Sequence, residues 1–216
     1  MSDDVPAPET RSGRPEWWSL AAAIILSAAT VASAWSGYEA SRWAGESVRW
    51  NRSATVARFD ATAQLAAADS QRITDVEVFG TWLTAEVAGD DALADAVRER
   101  FRPEFVPAFD AWFATTDDGL PPGSPFERDE YVLAAQEQAD GFVAEAERNA
   151  LRADDASGLS TDYVLVAVLY ASVLFLAGIA SKLRNERVAH LMVALAALVF
   201  VGAAIAMLSL PITFGS

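Results

Sequence analysis

The sequence predicts an all-α integral membrane protein with three transmembrane helices and an extracytoplasmic antiparallel helical hairpin between the first two. Three observations carry this. Residues 17–35, 163–181 and 191–211 contain no charged side chain. The chain is 52% hydrophobic yet carries a formal net charge of −14, a pairing of properties foreign to an ordinary soluble globule. Finally, the charge is confined: residues 37–162 hold 25 acidic and 11 basic side chains, a balance of −14 that equals that of the whole chain.

The chain opens on a tail, 1–16, with Arg11 and Arg14 against four acids, read as disordered and cytoplasmic. The first span, 17–36, has close to the roughly 20 residues that cross about 30 Å of hydrocarbon at 1.5 Å per residue. Trp17 and Trp18 bracket one end, and Trp35 and Tyr38 the other, the placement of interfacial aromatic belts. Ala32-Ser33-Ala34 offers a rival reading as a signal-peptidase site. The acidic tail and the unbroken helical pattern beyond Trp35 argue against cleavage.

Residues 37–87 contain no proline and are rich in Ala, Glu, Gln and Arg, a composition that favours helix. Arg42/Glu46 and Glu46/Arg49 stand at bridging spacings. Phe59, Ala63, Ala66, Ile73 and Val76, followed by Phe79, Trp82 and Leu83, form an apolar stripe of helical period that reads as the packing face. The first span and this stretch therefore form one rod, which Gly89 ends and an Asp at 90 or 91 succeeds as the next cap.

The return leg is broken. Residues 91–101 form a short helix, Pro103 suits the first turn of another, and Phe105, Phe109, Trp112 and Phe113 share one face of it. That aromatic face is expected to pack on Ile73, Phe79 and Trp82. Residues 116–125 form a Gly/Pro/Asp loop, and helix resumes from 128 to about 154, leading into the second span, 163–181. The linker 182–190 carries Lys182, Arg184 and Arg187 against Glu186, a balance of +2. Short positive loops stay on the cytoplasmic side. The third span, 191–211, then returns outward to a tail at 212–216. The expected location is the inner (plasma) membrane, with the N-terminus cytoplasmic and the central segment outside.

Composition excludes several chemistries. The chain has no cysteine and one histidine, His190, so thiolate metal sites and the common histidine-based triads lose their raw material. The acidic balance leaves no basic stripe for nucleic acid. The spans lack the buried charges on which ion-coupled transport depends. No catalytic residue, cofactor or metal ligand is assigned, and no enzyme activity is expected.

The side chains most able to contact something are Trp35, Tyr38, Trp43 and Trp50 with Arg42, Arg49 and Arg52. They read either as contacts to lipid headgroups or to the mouth of an oligomeric pore, or as an interfacial anchor. Ala28 and Ala32 in the first span, and Gly202 and Ala206 in the third, have the small-xxx-small spacing of close helix packing. Asp90, Asp91, Asp95, Asp117, Asp118, Glu127, Asp129 and Glu130 have the oxygens that hard cations take but not the spacing of a calcium loop. Arg98, Arg100 and Arg102 stand among Glu99 and Glu104, as an anion site or a surface ion-pair lattice. His190 reads as interfacial, with proton sensing as the sharper alternative.

The stretches WSGYEASRW (35–43), RERFRPEFVPAFDAWFAT (98–115) and SPFERDEYVLA (124–134) together resemble a group of uncharacterised bacterial three-span membrane proteins. In that group one N-terminal span runs into a long extracytoplasmic helical segment and two spans close the chain. The resemblance implies this architecture and no activity. The function expected is that of a membrane-anchored helical scaffold or interaction protein of the bacterial envelope, oligomeric, with the lipid bilayer, its own copies or another membrane or envelope protein as partners. The alternatives are a homo-oligomeric ion-conducting pore and an accessory subunit of a larger membrane complex.

Overall fold

The computed structural model describes residues 16–116, 119–183 and 185–213, with the side chains of 16–19 and 21 outside that description. The N-terminal tail, Trp17 and Trp18, Asp117 and Asp118, Arg184 and residues 214–216 therefore lie outside the described residues. What is described is helical, without a strand. The elements are α1 (Glu16–Ala88), α2 (Asp91–Arg98), α3 (Val106–Phe113), a 3-10 turn (Pro125–Glu127), α4 (Ala134–Ala180) and α5 (Glu186–Ser209).

Helix α1 runs 73 residues without interruption, as its proline-free composition requires. It stops where expected. Gly89 adopts a φ of 74°, a conformation that costs glycine nothing, and the Asp90 carboxylate caps α2 by accepting from the Leu93 amide at 3.1 Å. Helix α4 begins at Ala134, not at 128: Ser124 caps the 3-10 turn by accepting from the Phe126 amide, and 128–133 lead irregularly into the helix. Two helices, α4 and α5, are long and apolar enough to cross a membrane.

The chain divides into two compact units, one formed by the residues up to Arg49 with those from Arg152 onward, the other by Trp50–Leu151. In the second unit α1 and α4 run antiparallel, since Asp75 meets Tyr131 while Ala61 and Ala146 line one cleft. Their seam is built of alanine. Ala54, Ala61 and Ala68 recur every seven residues on α1, Ala139 and Ala146 do so on α4, and all five are buried.

This corrects the packing face read from the sequence. Phe59 is 72% exposed and Ile73 59%, and Ala63, Ala66 and Val76 are exposed with them. The larger side chains face outward because alanines line the inner side, where small residues let helix backbones approach closely. A bulkier side chain at a fully buried seam position forces the two helices apart. Ala54→Leu, at a position with no exposed surface, is accordingly expected to destabilise this unit by about 1–3 kcal/mol, read as faster hydrogen exchange across 50–68.

Beyond the alanine seam sits an aromatic core. Trp82, Phe101, Phe105, Phe109 and Trp112 are buried, with Phe79, Phe113, Phe126 and Tyr131 packed against them. The expected aromatic face of α3 therefore packs on Phe79 and Trp82, without Ile73.

In the first unit α1 and α4 are again antiparallel. The Ser33 hydroxyl approaches the Ala167 carbonyl at 3.5 Å, and Ser160 donates to the Ala40 carbonyl at 2.9 Å. Ala29, Val166, Tyr170, Val173, Ala177, Ala196 and Ala203 form the buried cluster that joins α5 to them.

Candidate functional site: a buried carboxylate in each unit

Among the described residues two acidic side chains are buried, Glu39 in the first unit and Asp75 in the second, and neither stood among the residues singled out in the sequence. Burying a carboxylate is costly unless hydrogen bonds or an opposite charge compensate it. Each site must therefore contain that compensation.

Asp75 lies on the inner face of α1, seven residues after Ala68, in the register of the alanine seam. Arg102 grips it with both arms of its guanidinium, Nε donating to Oδ1 at 3.2 Å and Nη2 to Oδ2 at 2.7 Å. Tyr131 donates its hydroxyl to Oδ2 at 3.1 Å. Pro103 and the residues around it deliver Arg102 between α2 and α3. The bond to Asp75 holds the guanidinium pKa above its ordinary value against the opposing effect of burial. Burial, and then the Asp75 charge, push the Tyr131 phenol up to about 12. A phenol and a guanidinium that keep their protons at neutral pH clamp a carboxylate rather than exchange protons with it. This is a structural knot tying the return leg to α1. The buried Gln71 Oε1, one turn earlier, has no hydrogen-bond partner among the described residues.

Glu39 is held differently. Thr213 donates to its Oε2 from both the backbone amide, at 3.2 Å, and the hydroxyl, at 2.8 Å. Next to it Tyr163 donates to the Pro211 carbonyl at 3.1 Å. The segment after α5 is thereby clasped to α1 and α4 together. Among the described residues no arginine or lysine lies within ion-pair distance of Glu39. The arrangement fixes residues 211–213 against α1 and α4, and the buried Glu39 carboxylate presents no open face to a ligand.

The aromatic and basic residues chosen from the sequence are only partly brought together. Trp35 and Tyr38 pack with ring centroids 5.8 Å apart, and Arg42 donates to the Tyr38 hydroxyl at 3.3 Å. That bond first, and then charge interactions with Tyr38 and the neighbouring Glu39 and Glu46, raise the Arg42 pKa. Of the two bridges expected on this helix, Glu46–Arg49 forms, while Arg42 turns to Tyr38. Trp43 buries its indole N–H without an acceptor among the described residues. Trp50 and Arg52 belong to the other unit.

The small-residue pairs are placed unevenly. Ala32 and Ala206 pack against the buried cluster, and Ala28 lines an apolar groove with Trp35 and Met207. Gly202 is exposed, and a methyl group there would meet nothing; on α5 the buried positions are Ala196 and Ala203. Arg98 pairs with Asp110 at 2.7 Å, and Arg102, whose shorter bond is to the buried Asp75, also reaches Glu104 at 3.1 Å. No cluster of metal-ligating side chains occurs among the described residues.

No family model, curated protein or solved structure matches the chain. The likeness to three-span bacterial proteins therefore rests on the three stretches quoted above.

Proposed function

We propose that this chain is a membrane-anchored helical interaction protein, with spans at 17–36, 163–181 and 191–211 and an acidic helical hairpin, 37–162, presented on the extracytoplasmic side. The observation that carries the reading is α5. Its most apolar stretch is only 11% buried inside the protein, so leucine, valine and isoleucine side chains along it face outward. Leu191, Leu198, Ile205 and Leu208 are each more than 65% exposed. Water would penalise that surface and a bilayer would not. The corresponding part of α4 is 33% buried, as befits a helix with one face on its neighbours and the rest in lipid. The positive linker favours a cytoplasmic 182–190.

Two measurements test this. The protein is expected to stay with membranes through alkaline carbonate extraction; release into the supernatant would overturn the anchoring. In intact cells Leu120→Cys is expected to react with an impermeant maleimide and Glu186→Cys is not. The chain has no native cysteine to confuse the result. The reverse pattern would place the hairpin in the cytosol. An interaction protein is further expected to leave planar bilayers non-conducting; steady single-channel currents would instead support the pore.

A further inference from the structure

The outward side of α1 in the Trp50–Leu151 unit carries a second, largely apolar seam, left exposed by the described residues around it. Positions 52, 56, 59, 63, 66, 70, 73 and 77 follow one another at alternating spacings of four and three, which is the spacing of a coiled-coil seam. All eight are exposed. Val56 is 59% exposed, as is Ile73, and Phe59 exceeds both. This stretch carries Arg52, Arg58 and Arg72 against Asp60, Asp69, Asp75 and Glu77 and lies outside the uncharged stretches of the sequence, so a lipid-facing role does not account for it.

The flanks of the seam are prepared for burial. Thr55, Thr62, Thr74 and Thr81 each donate their hydroxyl to the carbonyl four residues back, at 2.8–2.9 Å. Their polarity is satisfied within α1, so covering them strands no donor.

The order of residues along the seam names the occupant. About a twofold axis between positions 64 and 65, Ala63 falls opposite Ala66, and Phe59 opposite Ser70, a large side chain over a small one. Val56 then meets Ile73. At each end Arg52 meets Glu77, the only charged residues in the seam. A second copy laid antiparallel thus closes the seam with six apolar or small layers and an ion pair at either end. In-register parallel pairing would instead set Arg52 on Arg52 and Glu77 on Glu77. We propose that this face binds a second copy of the chain in antiparallel orientation, with Arg52 of each copy against Glu77 of the other. The proposal deepens the interaction reading and rests on it.

Introduced cysteines are unique in this chain, which makes the test direct. Full-length Val56→Cys and Ile73→Cys proteins, purified separately in detergent and mixed, are expected to give a cross-linked heterodimer with a short bis-maleimide. Val56→Cys alone is expected to give none. Cross-linking of Val56→Cys to itself would show parallel pairing, and no adduct in either arm would show no pairing; each overturns the proposal. Arg52→Glu is expected to lower the adduct yield about tenfold, since two rim pairs turn from attraction to repulsion, and Arg52→Glu with Glu77→Arg to restore it. Failure of the double exchange to rescue overturns the assigned register. Carbonate extraction reads the anchoring separately, so failure of either idea is recognisable on its own.

Discussion

Arg102→Ala is expected to loosen the whole return leg of the Trp50–Leu151 unit, at a cost of about 3 kcal/mol. The change leaves the Asp75 carboxylate, whose side chain is 2% exposed, with the Tyr131 hydroxyl as its remaining described donor. Breaking a buried pair by removing one partner costs about 3–5 kcal/mol, because the charge left behind has lost both water and its counter-ion. The guanidinium is itself 22% exposed, so water enters the space it vacates and the lower end of that range applies. Replacing both partners by apolar residues, Asp75→Leu with Arg102→Met, is expected to recover most of the loss, since no charge is then stranded. The readout is hydrogen exchange of amides in 91–113 rather than a single melting temperature, because a chain of two units need not unfold as one. The same knot has a pH signature. The Tyr131 phenol is held at about 12 against about 10 in an unfolded chain. A folded-state pKa above the unfolded one means that the folded state keeps its proton more tightly. The stabilisation is therefore complete below pH 10 and is lost as pH rises from 10 towards 12. Tyr131→Phe should flatten that decline, and an unchanged profile would show that the phenol does not couple to folding.

The sequence was most legible where single residues punctuate the backbone. Gly89, Asp90 and Pro103 each act through local geometry, and the helix ends there follow from them. The aromatic face of α3 was legible too, because four large rings at helical spacing on one short helix have few other places to go. The inner face of α1 was not. Alanine occurs on every side of that helix, at 54, 57, 61, 63, 66, 67 and 68, so hydropathy does not distinguish the alanines that pack from those that do not. The larger Phe59 and Ile73 attract the eye to the wrong side. The usable signal was recurrence at seven residues in two segments at once, 54/61/68 and 139/146/153, which marks paired helices independently of side-chain size. Glu39 and Asp75 were missed for a related reason. In a segment with 25 acids a buried carboxylate looks like any other, and only its partners, 174 and 27 residues away along the chain, set it apart.

Phe109→Ala is expected to be as damaging as any single truncation in this chain, about 3–5 kcal/mol. The ring is fully buried and stands at the centre of the aromatic core. Trp82 meets it edge-on at 4.7 Å, Phe101 at 4.9 Å, and Phe113 stacks at 5.7 Å. On its outer side the Arg98 guanidinium sits 5.2 Å from the ring centroid while that arginine pairs with Asp110. Rigid rings on short helices cannot collapse into the vacated space, so the cavity persists and its lining loses contacts outright. Phe59→Ala is the informative contrast. The residue type is the same and the helix it occupies is longer and more regular, yet a 72% exposed ring has little packing to lose, and the change should fall within about 0.5 kcal/mol in the isolated chain. If its outward seam is a surface for a second copy, Phe59→Ala will instead weaken that association while leaving hydrogen exchange at 91–113 untouched. Phe109→Ala will do the opposite. Two phenylalanines, one holding the unit together and one facing away from it, thereby separate folding from partnership in a single pair of measurements.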